Sequence, residues 1–560
     1  MQTENISTIS KEPGSYIPES LNPHHYTSLL DVLNVSCQKF ATKPAFTSVG
    51  CTLSYADLAQ KSDQFAAYLQ HCTDLQPGDR IAVQLPNVVQ YPVVVFGAMK
   101  AGLTVVNTNP LYTPKELEHQ FNDADVKALV VFANMASHVE KILHKTSIKH
   151  LIITEIADFH STPKRILINS IVKYVKKMVP AYHLPQAISL NQALEKGLGK
   201  SVAPVTTQPA DIAVLQYTGG TTGVAKGAML THANLLSNMH QLSFRLQDVL
   251  EDGKETFIAP LPLYHIYAFL IHGLTMIEAG GHSVLIPNPR DIPGFIKELK
   301  KWQFSGFVGL NTLFVGLCNK AEFAALDFSA LKITCSGGMP LTHAAADRWK
   351  EITGCTVVEG YGLTETSPVV SFNPCGEERI GTIGLPVDET DIKIQDEEGN
   401  EVAQGEVGML CVRGPQVMKG YWQRPEATAE VMTPDGFLMT GDIAMQHADG
   451  YLQIVDRAKD MIIVSGFNVY PTEVEDCLSS HPDILESAAI GVPDDKTGEA
   501  VKIFVTLKDG IQDLDMQAVR AYCKENLAAY KVPKYIEVRQ ELPKTNVGKV
   551  LRRALRDEQT

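Results

Sequence analysis

The sequence predicts an α/β protein built on parallel, doubly wound sheets, with a small antiparallel β unit from about residue 384. Three observations carry this. From about Ser28, short apolar runs alternate with stretches of helical periodicity. The runs stop at proline or glycine, as in Arg80–Leu85 before Pro86. From Gly384 the texture changes to short alternating runs with turns such as Glu397-Glu398-Gly399-Asn400 and Gly405-Glu406-Val407-Gly408.

In chain order, residues 1–27 read as a flexible arm, polar and broken by prolines. Ser54 to Leu58 caps a helix that runs on through Phe65 and Leu69 with helical spacing. Arg80–Leu85 is a strand, Val93–Lys100 a small-residue apolar helix ended by Gly102, and Leu103–Asn107 the next strand. Lys127–Phe132 and His150–Thr154 repeat the theme. No internal repeat is present.

At 560 residues the chain is long enough for about three to four domains. A net charge of -14 argues against general nucleic-acid binding, which favours a basic surface. Ten scattered cysteines without a C-x-x-C pair favour a reducing compartment and no structural zinc. The N-terminus lacks the basic start and apolar run of a signal peptide, and no apolar run approaches the ~20 residues of a spanning helix. Cytoplasm is the default expectation. A homodimer is left open.

The densest motif is Tyr217-Thr218-Gly219-Gly220-Thr221-Thr222-Gly223-Val224-Ala225-Lys226-Gly227, after the apolar run Ile212–Tyr217. Glycines let backbone N–H groups converge on an anion, threonines add donors, and Lys226 adds a mobile charge. It is not a Walker A loop, because Lys226 stands three places after Gly223. A flexible surface loop is the bland alternative.

Other segments carry candidate chemistry. Pro260–His265 is a proline-stiffened turn whose His265 either faces the loop's ligand or is structural. Phe304–Phe314, with Gly306 and Gly309, either leaves room for an apolar ligand or is ordinary strand packing. Leu331–Gly338 is a strand ending in Gly337 and Gly338, where a planar base could rest on backbone. Val357–Thr366 is a second strand and loop containing Glu359, Gly360 and Tyr361. There Thr364 offers a hydroxyl and Glu365 an oxygen ligand suited to Mg2+. Asp442 sits in a turn, Asp456–Asp460 forms a charged knot between two strands, and Lys549 follows Gly548 near the tail.

Lys164 to Val179 stands apart. At about 100° per residue, Arg165, Asn169, Lys173, Lys176 and Lys177 fall on one side. Leu167, Ile171, Tyr174, Val175 and Met178 fall on the other, with Ile166 and Lys164 misplaced. Three readings stay open: a helix on an anionic membrane surface, a helix docked on its own domain, and the entrance of an apolar channel.

Taken together, the 217–227 loop and the Tyr361-Gly362-Leu363-Thr364-Glu365 run resemble motifs of the adenylate-forming enzymes, which comprise acyl-CoA ligases, luciferases and peptide-synthetase adenylation domains. The usual loop is Thr-Ser-Gly-Thr-Thr-Gly-x-Pro-Lys-Gly; here Gly219 replaces the serine and Ala225 the proline. The glycine variant and the 164–179 segment are similar to those of bacterial long-chain fatty-acid–CoA ligases. The resemblance runs from about residue 28 to 555.

It implies a large N-terminal domain (28–455) of two doubly wound α/β subdomains plus the β unit, and a small mobile α+β C-terminal domain (456–560) hinged at Asp456. It implies the nucleotide set Thr218, Gly219, Gly220, Thr221, Thr222, Gly223, Lys226, Gly337, Gly338, Glu359, Gly360 and Tyr361. Asp442 would take the ribose hydroxyls, Arg457 the ribose or phosphates, and Gly466 would border the pantetheine tunnel. Thr364, Glu365 as Mg2+ ligand, His265 and Lys549 would be catalytic. The expected reaction joins a long-chain fatty acid to coenzyme A through an acyl-adenylate, with ATP and CoA as co-substrates and release of AMP and pyrophosphate. The rivals are a fatty-acyl-AMP ligase that loads a carrier, a CoA ligase for medium-chain or aryl acids, and a non-catalytic acyl- or nucleotide-sensing protein, against which the presence of both Glu365 and Lys549 speaks. A further expectation is peripheral contact of 164–179 with the inner face of the cell membrane.

Overall fold

The computed structural model describes residues 13–218, 225–545 and 548–559. Two large sheets form the body. One has seven strands in the spatial order Ile188–Ser189, His150–Thr154, Val126–Phe132, Arg80–Gln84, Thr104–Asn107, Ile212–Thr218 and Lys226–Thr231. It is parallel except for the last pair, an antiparallel hairpin. The other has nine strands, from Leu385–Pro386 at one edge to Cys51–Ser54 at the other. Its middle, from Val357–Gly362 through Ile333–Ser336, Gly306–Gly309, Thr256–Ala259 and His282–Leu285 to Pro44–Ser48, is parallel.

The elements follow from local chemistry. Ser54 accepts the Asp57 N–H, and Asp57 returns a bond to the Ser54 N–H, so the helix Tyr55–Cys72 starts on a reciprocal cap. Gln90–Lys100 is buried on every side save its last residue, which is why its sequence is apolar all round. A Cβ on its Gly97 would stand 2.9 Å from Phe65, so only glycine lets these two helices approach this closely. One core draws on both sheets and these helices, with Phe65, Phe96, Phe257, Phe307 and Trp349 at its centre.

Two smaller units follow. Asp391–Gln395, Val407–Arg413, Leu438–Gln446 and Leu452–Arg457 form a four-stranded antiparallel sheet. Asp456 and Arg457 belong to its last strand, paired with Ile443 and Asp442, rather than to a turn. The chain then crosses to a five-stranded sheet built from Ile462–Val464, Phe467–Val469, Ile484–Asp494, Gly498–Leu507 and Tyr535–Val538. This unit has two clusters of its own on opposite faces of the long hairpin, one around Ile503 and Val505, the other around Phe504 and Leu555.

One sequence reading needs correction, and one pair of open alternatives is decided. The described part of the expected flexible arm is packed: Leu21 and Tyr26 are buried, and the Gly14 carbonyl accepts from Thr231 Oγ1 at 2.9 Å. Its few apolar side chains are enough to seat it. The strand glycine Gly306 does not leave ligand space, since a Cβ there would lie 2.2 Å from the Phe257 ring. It makes room for that ring.

Candidate active site

The candidate residues gather where the parallel strands of the nine-stranded sheet end, the place where open α/β sheets take ligands. Ile333–Ser336 runs into Gly337 and Gly338, and Val357–Gly362 into Thr364 and Glu365. Thr256–Ala259 leads through the prolines to His265. The hairpin of the other sheet approaches the same place: Gln216 Nε2 donates to the Tyr264 carbonyl at 3.0 Å.

Thr218 and Lys226 are register partners at the loop end of that hairpin, so the two ends of the glycine loop are held face to face. Gly219, Gly220, Thr221, Thr222 and Gly223 lie outside the described residues. The loop returns as an antiparallel strand and not as a helix. Its free edge is covered by Lys419–Trp422: Met229 N–H donates to the Gly420 carbonyl at 2.9 Å, and Trp422 N–H to Gly227 at 2.8 Å. This places Tyr421, which sequence reasoning missed. Its hydroxyl donates to Glu365 Oε1 at 2.7 Å, and Lys226 Nζ stands 5.1 Å from its ring centroid. A Gly-Tyr-Trp run in a loop was the only signal.

Glu359 is buried, accepts the Leu341 N–H at 3.1 Å, and is pushed by burial up to about 8. Gly337 packs under the Tyr267 ring and the Gly360 carbonyl, each within 3.3 Å of a notional Cβ. Asp442 is buried. Its Oδ1 pairs with Arg457 Nε at 2.7 Å, and its Oδ2 accepts from the Tyr361 hydroxyl. Burial first, and then the Asp442 charge, hold the Tyr361 phenol well above its usual range.

The tail reaches this cluster from the small domain. Thr545 N–H donates to the Lys549 carbonyl, and Gly548 adopts φ +87°, which turns the chain tightly. Thr312 Oγ1 donates to the Gly548 carbonyl at 3.4 Å, and Arg290 to the Thr545 carbonyl at 3.4 Å. Lys549 is pushed down to about 8, chiefly by burial and then by the Arg457 charge, with Asp442 opposing. His265 is pushed down to about 4, chiefly by burial and then by the Lys549 charge, so it is neutral at neutral pH. Its Nδ1 accepts the Tyr267 N–H. The structure thus groups Asp442, Arg457, Tyr361, His265 and Lys549, and beside them Glu365 with Lys226. It does not bring Gly466 to them; Gly466 (φ +83°) lies in an exposed turn of the small domain.

A cavity of about 860 Å3 lies between the domains, with Leu310, Leu313 and Val315 on one wall and Lys508 and Lys544 on the other. Among the described residues, no group of three or more His, Cys, Asp or Glu is arranged to hold a metal. Among the described residues Glu365 makes no ion pair within 4.0 Å, and its Oε1 accepts from the Tyr421 hydroxyl.

Residues 33–422 match the model of the AMP-binding enzyme family, and 473–549 that of the AMP-binding enzyme C-terminal domain. The chain belongs to the AMP-binding enzyme family. It is 51% identical over 543 residues to a long-chain-fatty-acid–CoA ligase of Escherichia coli O157:H7, covering 97% of this chain and 96% of that one. It is 39% identical over 552 residues to a long-chain-fatty-acid–CoA ligase of Bacillus subtilis strain 168, covering 97% and 96%. Among solved structures it is similar to an anthranilate CoA ligase in complex with anthranoyl-AMP, at a TM-score of 0.85 and 25% identity over 95% of this chain and 97% of that one.

Proposed function

We propose that the protein activates a long-chain fatty acid with ATP and passes it to coenzyme A. The observation that carries this is the placing of Lys549, delivered by a separate domain into the cluster of Asp442, Arg457 and His265. A carboxylate is a poor electrophile. Bonding its oxygen to the α-phosphorus of ATP, with loss of pyrophosphate, turns that oxygen into part of AMP, a good leaving group. Negative charge builds during this step, and Lys549, Lys226 and the donors of the 218–226 loop supply positive charge and N–H groups against it. Asp442 holds the ribose hydroxyls, oriented by Tyr361 and Arg457. The Gly337–Gly338 and Gly360–Tyr361 backbones frame the base. His265, neutral, sits beside the acid. Glu365 would hold Mg2+, which would supply charge neutralisation on the phosphate oxygens.

The CoA thiol then attacks the acyl carbon, and AMP leaves. Lys549 occupies the approach in this arrangement while Gly466 is turned outward, so the small domain must swing about Asp456 between steps. The deciding experiment measures AMP release with acids from short to long chains and with aryl acids, with and without CoA. CoA-dependent release that peaks at long chains is expected. CoA-independent accumulation of acyl-adenylate would instead favour the carrier-loading activity, and a peak at aryl acids a different acid pocket.

We also propose that Thr162–Val175 rests on an anionic membrane surface. Its apolar side faces solvent and not its own domain: Leu167, Tyr174 and Val175 are 61%, 68% and 73% exposed. Lys164, Lys173, Lys176 and Lys177 are exposed around it. Among the described residues, no helix is long and apolar enough to cross a membrane. Changing the five basic residues of 164–177 to Gln should abolish binding to anionic vesicles; retained binding would refute the reading.

A further inference from the structure

A second cavity, of about 620 Å3, lies between the Thr162–Val175 segment and the body of the large domain, and shares no residue with the cluster around Lys549. Its wall carries charges of both signs that stand near one another without direct contact. Glu155 and Asp158 come from the body side, Arg165 and Lys173 from the helix side, and Glu195 adds a further acid. Among the described residues, none of the first four makes an ion pair within 4.0 Å. What joins the two sides is a neutral amide. Asn169 Nδ2 donates to Glu155 Oε2 at 3.0 Å and to Asp158 Oδ1 at 3.2 Å, while its Oδ1 accepts the Ala157 N–H at 3.0 Å. Burial raises the pKa of both carboxyl groups. Asp158 Oδ2 also accepts from Thr154 Oγ1 and from the Glu155 N–H, each at 2.8 Å, and the charges of Arg165 and Lys173 act on Glu155 from a distance without offsetting its burial, so Glu155 above all favours a ligand that brings positive charge.

The rim of the same cavity is apolar. Ile166 and Tyr174 line it and are 59% and 68% exposed, continuous with Leu167 and Val175 on the outward face. A ligand that fits this wall has a compact ammonium, an anion a few atoms away, and an apolar body that leaves past the rim. An inorganic ion of either sign meets only half of it.

We propose that the cavity receives the headgroup of an amine-bearing zwitterionic phospholipid, with the primary ammonium between Glu155 and Asp158 and the phosphate against Arg165 and Lys173. An ammonium donates up to three hydrogen bonds to the carboxylates, and guanidinium is well suited to a phosphate. The acyl chains then lie along Ile166 and Tyr174 in the lipid surface. The proposal rests on the membrane reading above and gives it a headgroup preference. A choline headgroup has no N–H to donate and is bulkier, so it meets the carboxylates poorly.

The test is flotation of the full-length protein with two sets of vesicles that share acyl chains and anionic content, one based on phosphatidylethanolamine and the other on phosphatidylcholine. Binding to the ethanolamine set is expected to be roughly tenfold tighter, the value of one added charge-assisted hydrogen bond. In Glu155→Gln that difference should vanish, while binding to the choline-based anionic set and ligase activity on dissolved acid stay unchanged. Equal binding of the wild type to both sets would overturn the headgroup site and leave the basic surface standing. An ethanolamine preference that persists in Glu155→Gln reflects lipid packing and also overturns it. Absence of binding to either set would overturn the membrane reading and the site with it. Should Glu155→Gln fold poorly, Asp158→Asn, at the other carboxylate facing the ammonium, is the second variant, with the same loss of preference expected.

Discussion

Asp456 and Arg457 are adjacent, yet their side chains are held by opposite domains. Asp456 Oδ2 accepts the Thr472 N–H at 2.8 Å, and its Oδ1 lies 3.5 Å from Arg552, both in the small domain. Arg457 reaches back to Asp442 in the large one at 2.7 Å. A swing of the small domain therefore pulls on Asp456, while the Arg457–Asp442 pair anchors the strand beside it in the body. Arg457→Ala removes one charged hydrogen bond from Asp442 and from the docked arrangement. Adenylate formation should lose roughly tenfold or more in kcat/KM for ATP, read by pyrophosphate release. An unchanged value would refute the coupling.

Lys549→Ala should cost about 10²–10³-fold in adenylate formation, the usual size for loss of a group that meets developing charge. Thioester formation from supplied acyl-adenylate should be spared. Equal loss in both half-reactions would end the division of labour between the two domain positions.

The pH dependence follows from the same lysine. Its pKa falls from the ordinary 10.5 to about 8 when the tail is docked, so the docked state binds fewer protons. Rising pH between those values therefore favours docking while removing the ammonium. Adenylate formation, measured as kcat/KM for ATP, should fall above about pH 8, and the thioester step should not share that limb. His265, held down to about 4, should impose no limb near neutrality.

Tyr421→Phe deletes the bond to Glu365 and keeps the ring beneath Lys226. The Mg2+ concentration for half-maximal adenylate formation should shift several-fold, with little change in CoA use. A magnesium titration of the first half-reaction checks this.

Gly306→Ala should destabilise the large domain by about 1–3 kcal/mol, because its methyl meets the Phe257 ring. Chain-length preference should stay the same, as the position packs a ring. Chemical denaturation together with the acid series tests both halves of that statement.

Much of this was legible in the residues. Ser54 with Asp57 announced a helix start, and the run Lys127–Phe132 read as a strand, which the structure begins one residue earlier, at Val126. Glu365 and Lys549 were marked by their motifs. What could not be read was tertiary. Nothing near Tyr421 says that its segment will edge the 212–231 hairpin, because that pairing joins residues about two hundred positions apart. The outward turn of Leu167 and Val175 was equally hidden, since periodicity gives two faces but not which is docked. Asn169 decides that, by hydrogen-bonding Glu155 and Asp158.

The small domain keeps its own modest cores around Ile503 and Phe504, and it joins the body through one crossing of the chain after Arg457. Small cores give way before large ones. On heating, the molecule should therefore fail in order: the part carrying Lys549 melts first, leaving a body that, on the proposed function, still takes up nucleotide but cannot spend it. Thermal damage would silence the catalyst before it could turn it into an idle consumer of ATP.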